Sequence, residues 1–153
     1  MCSAGRRQRA SNGITPLSEE HMRYMLMMHA PRGTGDYQIT EWNPEEMQAH
    51  FRFMMALNAD LTAAGELVGV EGLAPPGQAK VVKAGGQGET VVTDGPFAES
   101  KEFLVGYWIV DVDTPERAHA IAARASYAPG PGGAPLGIPI EIRQVMDAPL
   151  RDL

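Results

Sequence analysis

Only one cysteine, Cys2, stands among the 153 residues, so no intramolecular disulfide forms and a zinc site built on thiolates is excluded. Positive charge is also scarce. Thirteen Lys and Arg face nineteen Asp and Glu, leaving a net charge of -6. Nucleic acid needs a basic face, so it is not expected as a partner, and the one basic cluster, Arg6-Arg7-Gln8-Arg9, lies in the N-terminal stretch. No apolar run approaches the ~20 residues of a membrane span, so no membrane partner is expected. Residues 1–21 hold no apolar signal core, and a cytoplasmic setting is the expectation. The histidines form no His-x-His or Glu-x-x-His pair, so neither metal nor cofactor is expected. Gly85-Gly86-Gln87-Gly88 opens no helix and so is no dinucleotide fingerprint.

What the chain does have is regular punctuation. Residues 1–21, rich in Arg, Ser, Gly, Gln and Asn, read as a flexible N-terminal extension. The near-continuous apolar run Arg23 to Ala30, stopped by Pro31, reads as a central strand. Alternation puts Tyr24, Leu26 and Met28 on one face and Met25, Met27 and His29 on the other. A long loop holding Gly33, Gly35, Asp36, Tyr37 and Trp42 follows. Asn43-Pro44-Glu45-Glu46 then starts a helix, with Asn as N-cap and Glu at the third position, and Gly65 ends it. Met47, His50, Met54, Leu57, Leu61 and Ala64 share one helix face, flanked by Phe51 and Asn58, so His50 belongs to the core-facing seam.

Leu67 to Leu73 reads as a second strand, stopped at Ala74-Pro75-Pro76-Gly77. Ala79–Ala84 and Glu89–Thr93 form a hairpin around the glycine-rich turn. Phe103 to Val112 is a strand, Thr114-Pro115-Glu116 caps a second helix to about Ser126, and residues 127–133 are a flexible Pro/Gly connector. That helix packs through Ala118, Ile121, Ala122 and Ala125. The last strand, Ile138–Val145, carries Pro139 and so belongs at an edge. Residues 22–147 thus form one domain, followed by a C-terminal tail, 148–153. The order β-α-β, hairpin, β-α-β is an α+β, ferredoxin-like split βαβ plan with both helices on one face of an antiparallel sheet. The other face, with Met25, Met27 and His29 beside Glu141 and Arg143, is too apolar to be left in water, which predicts a homodimer.

Between the hairpin and the strand at 103 lies Asp94-Gly95-Pro96-Phe97-Ala98-Glu99-Ser100-Lys101-Glu102. Asp-Gly favours a turn, Pro96 removes a backbone donor, and Phe97 is expected to tuck inward. With Met22–Met27, Gly72-Leu73-Ala74-Pro75-Pro76 and Glu141–Met146, this nine-residue motif resembles the YCII-related family, and more narrowly its DGPF branch, with Ser100 where Thr is common. The resemblance covers Met22 to Met146. It implies a dimeric α+β barrel of ferredoxin-like subunits in a branch often placed near extracytoplasmic-function sigma factors. In the wider group a helix histidine and a cleft aspartate have been proposed as an acid–base pair. Here Met54 stands near the position of that histidine, one turn past His50, and residues 125–127 carry no carboxylate.

The candidate catalytic residues are therefore His50, Asp94, Glu99 and Lys101, with His29, Phe97, Tyr107 and Arg143 as candidate ligand contacts. His50 is either a general base or a buried histidine bonded to an acceptor. The loop charges either surround a pocket, where neighbours and burial would tune proton transfer, or simply lock a turn and pair on the surface. Two functions follow. One is cofactor-free proton transfer on a small organic molecule in the dimer cleft. The other is a non-catalytic ligand-binding or regulatory module linked to sigma-factor signalling.

Overall fold

A computed structural model of the protein describes residues 21–32, 39–97 and 99–146. Cys2, the arginine cluster, the extension to residue 20, loop residues 33–38, Ala98 and the tail from residue 147 lie outside them. The described residues form strands β1 (Met22–Pro31), β2 (Leu67–Gly72), β3 (Lys80–Ala84), β4 (Thr90–Asp94), β5 (Glu102–Val112) and β6 (Ile140–Gln144). Helices α1 (Pro44–Ala63) and α2 (Pro115–Ser126) complete the set.

Four strands make one antiparallel sheet in the order β2-β5-β1-β6, and β3 and β4 pair separately. The apolar run of β1 is therefore central, as its composition requires, and β6 with its neighbouring Pro139 is at the edge. Leu26, Leu57, Leu61, Val110 and Ile121 are fully enclosed in one cluster drawn from β1, α1, β5 and α2. Both helices thus cover the same sheet face. This α+β arrangement is compatible with a ferredoxin-like plan.

The helix boundaries follow from their caps. Asn43 Oδ1 accepts from the Glu46 backbone N–H at 2.9 Å, and Glu46 Oε2 accepts from the Asn43 N–H at 3.1 Å, so two orphan donors are satisfied reciprocally. Gly65, at φ +71°, lets the chain leave α1 in the left-handed region. Thr114 Oγ1 accepts from the Arg117 N–H at 3.2 Å and starts α2. Arg117 then reaches the Glu66 carboxylate with two nitrogens, at 2.7 and 2.8 Å, and fastens α2 to the start of β2. That bond holds the Glu66 carboxyl below its ordinary range.

Two expectations change. The connector after α2 is tied down at several points rather than loose. Pro129 bridges to Pro135, the Leu136 N–H reaches Ala128 O at 2.9 Å, and the Gly132 N–H reaches Glu46 Oε1 at 3.0 Å. Ala128 and Gly130 are buried. Phe97 is the second correction. It is 67% exposed, because Gly95 packs its backbone against Ala79 and Val81 and leaves the following side chain on the outside of the turn. The Gly95-Pro96 bond is cis.

The register of β5 on β1 shifts between Met28 and His29, so that Met28 faces Gly106 while His29 faces Leu104. Val105 is the extra residue of this bulge. Gly106 beside it is closely approached by β2: a Cβ there would stand 2.8 Å from Glu71 O. Gly106→Ala should therefore lower unfolding free energy by about 1–3 kcal/mol, while Gly77→Ala, which meets open space, should leave it nearly unchanged. Urea denaturation of the two variants measures the contrast, and equal stabilities would contradict the close approach.

Candidate functional site

The bulge governs what lies on either side of the sheet. Because strand neighbours point to opposite faces, consecutive residues serve different spaces. His29, Leu73 and Leu104 line an open cleft of about 660 Å³, whereas Met28, Gly72 and Val105 line a smaller one of about 190 Å³. The two clefts stand back to back across the sheet at one level.

The larger cleft is bounded by Pro75, Pro76, Pro96, Phe97 and Phe103 together with His29. His29 Nε2 is 3.2 Å from Glu141 Oε2, a pair formed across β1 and β6. Arg32, just past β1, donates to Phe97 O at 2.9 Å, and its backbone N–H donates to Lys101 O at 2.8 Å. These bonds set the position of the motif loop. The loop charges themselves face outward: Asp94, whose side chain is 89% exposed, pairs with Lys80, and Glu99 and Lys101 are exposed. Arg143 is exposed on β6 opposite Met25 and lines neither cleft.

The smaller cleft lies between α1 and the β2–β5 edge and takes in His50, Phe51, Met54, Asn58, Glu71, Tyr107 and Trp108. His50 is only 3% exposed. Its Nδ1 is 3.0 Å from Pro129 O, and a carbonyl only accepts, so Nδ1 carries the hydrogen and Nε2 the lone pair. Trp42 and Phe51 meet the ring edge-on, with centroids 5.2 and 5.8 Å away. Among the described residues Nε2 has no hydrogen-bond partner. Burial pushes the imidazole below its ordinary value of 6.5, outweighing the Pro129 bond, which favours the charged form. The result is a neutral imidazole of fixed tautomer. Two turns along α1, Asn58 Oδ1 accepts from Trp108 Nε1 at 2.8 Å. An indole only donates, so this bond also settles which end of the amide faces the tryptophan.

The sequence candidates thus divide. His29 and Phe97 line the larger cleft and His50 the smaller; Tyr107 borders the smaller cleft from β5 but stands opposite Met27, with its side chain on the other face, and Asp94, Glu99, Lys101 and Arg143 belong to neither. Pro129 was not a candidate, since no local pattern ties a connector residue to a helix 79 positions earlier. Asn58 and Trp108 carried a weak signal: a polar residue at the edge of an apolar helix stripe, and an indole N–H in a buried strand that needs an acceptor. Among the described residues no three of His, Cys, Asp or Glu are grouped to hold a metal ion, and no helix is long and apolar enough to cross a membrane.

Comparison with known proteins adds two findings. The model of the YCII-related domain matches residues 22–134. An uncharacterized protein of Rhizobium meliloti (strain 1021) is 36% identical over 86 residues, which span 56% of this chain and 68% of that protein.

The depressed imidazole fixes the sign of a pH effect. The unfolded chain takes up a proton near pH 6.5 while the folded chain does not, so stability falls as pH drops through that value, until the folded group also titrates. Glu71 and Tyr107 also border the cleft, but they pair with each other on the strand positions whose side chains take the opposite sheet face from Trp108. The stability advantage of wild type over His50→Gln should shrink between about pH 8 and about pH 5. Thermal melts across that range test it, and a constant difference would contradict a buried neutral histidine.

Proposed function

The chain belongs to the YCII-related family, and on that footing we propose that it binds a small organic molecule and transfers a proton on it without a cofactor, in the manner of an isomerase or lyase. One observation carries this reading: His50, buried and neutral, presents in an apolar cleft an Nε2 with no hydrogen-bond partner among the described residues. A general base works when its pKa lies near or below the working pH and its acceptor nitrogen is open to the reacting group. Its orientation is held by Pro129 O, as a base needs a third group to aim it.

The open sheet face supports the finer part of the proposal. Met25, Met27, Leu104 and Ile109 are half-buried on the face away from the helices, beside His29 and Glu141. A second copy laid over this face would make the dimeric α+β barrel of the DGPF branch and enclose the larger cleft. His29, Phe97 and Arg143 would then face that enclosed space, across the sheet from the His50 cleft, as contacts for a ligand held there, and Asp94, Glu99 and Lys101 would border it rather than solvent. A second reading, a ligand-binding or regulatory module without turnover, is favoured by the exposure of those three charges in the single chain.

Two measurements test the proposal. Light scattering after size exclusion should give about twice the monomer mass, and a monomer would remove the barrel. In a thermal-shift screen of neutral organic molecules, His50→Ala should lose responses that Asp94→Ala retains. Equal responses in wild type and both variants would overturn the assignment of His50.

A further inference from the structure

Within that proposed site, the smaller cleft is specific about what it accepts. Its lining is mostly apolar or aromatic: Met28, Phe51, Met54, Val70, Val105 and Trp108. Such surfaces favour a flat ring held by faces, edges and thioether sulfurs. Its volume, about 190 Å³, exceeds the roughly 150 Å³ cavity that holds benzene, so one ring with small substituents fits.

Two polar groups then set the ends. His50 offers an acceptor, Nε2, because Nδ1–H is given to Pro129 O. Pro129 is not part of the lining, so the ring edge that reaches the cleft is the one away from Nδ1. Asn58 offers a donor, because its Oδ1 is taken by Trp108 Nε1 and the amide NH₂ remains. His50 and Asn58 are eight residues apart on α1, about 12 Å along the helix, with Met54 midway as the floor. One hydroxyl does not span that distance. A ring with a hydrogen-bond donor at one end and an acceptor at the opposite end does. The mostly apolar lining disfavours an anion.

We propose that the cleft selects a neutral single-ring compound with a hydroxyl at one end, donated to His50 Nε2, and a carbonyl oxygen across the ring, accepting from Asn58 Nδ2. Trp108 acts as a positioning residue, since its indole N–H holds the Asn58 amide with the donor end free. The inference rests on the preceding reading of the His50 cleft as a ligand site.

The probe is 4-hydroxybenzaldehyde, titrated into the full chain while the indole N–H resonance of Trp108 is followed by NMR and assigned with Trp108→Phe. Capping the hydroxyl (4-methoxybenzaldehyde) or removing the carbonyl (phenol) should each weaken binding roughly three- to tenfold. Replacing the aldehyde with a carboxylate (4-hydroxybenzoate) should weaken it further. Asn58→Asp keeps an oxygen for the Trp108 indole but loses the donor, so it should erase the preference for the aldehyde over phenol. The ligand series reads the wild-type protein, so it decides the matter even if a variant fails to fold. Equal affinity for 4-hydroxybenzaldehyde, 4-methoxybenzaldehyde and phenol overturns the donor–acceptor assignment and leaves the cleft as a ligand site. No binding of any of these rings, with toluene also silent, overturns the cleft reading itself.

Discussion

The pairing of β5 with β1, and the bulge within it, sets most of what this molecule offers to a ligand. Both strands are central, so their side chains reach both faces of the sheet. Without the extra residue at Val105, alternation would run unbroken to the end of β5, and Leu104 would change faces. With it, His29 and Leu104 look into one cleft while Met28 and Val105 look into the other. Gly106 permits this by letting the β2 backbone approach at a distance where a side chain would collide.

The helices are arranged to finish the smaller cleft. Asn43 and Glu46 cap α1, and Glu46 also accepts from Gly132 in the connector. The connector in turn supplies Pro129 O to His50. One carboxylate thus helps start the helix and hold the loop that aims the helix's only buried polar side chain. The chain from cap to connector to imidazole is short, and every link is a hydrogen bond of ordinary length.

Much of the fold was legible beforehand, and the reasons are local. Caps at Asn43 and Thr114, glycine and proline stops, and the alternation of β1 are written in neighbouring residues. The helix face containing His50, Leu57 and Leu61 follows from spacing alone, and all three are buried. The site was less legible. Phe97 was expected inside because it is apolar, yet a single aromatic in a turn is ruled by how the backbone beside it packs, here Gly95 against Ala79 and Val81. The charges of the motif loop drew attention by their density, but density says nothing about direction, and Asp94 simply pairs with Lys80 on the surface.

By itself, then, the sequence determined the order and type of the elements, the buried stripe of α1 and the family to which the chain belongs. These are short-range properties: periodicity, capping and turn chemistry act within a few residues. Tertiary structure alone decided that Pro129 meets His50, that Asn58 meets Trp108, and that His29 and His50 serve separate clefts. Each of those joins residues far apart in the chain through a sheet register and a bulge. No local pattern encodes such a meeting, because it is the packing of whole elements that brings the two groups within hydrogen-bonding distance.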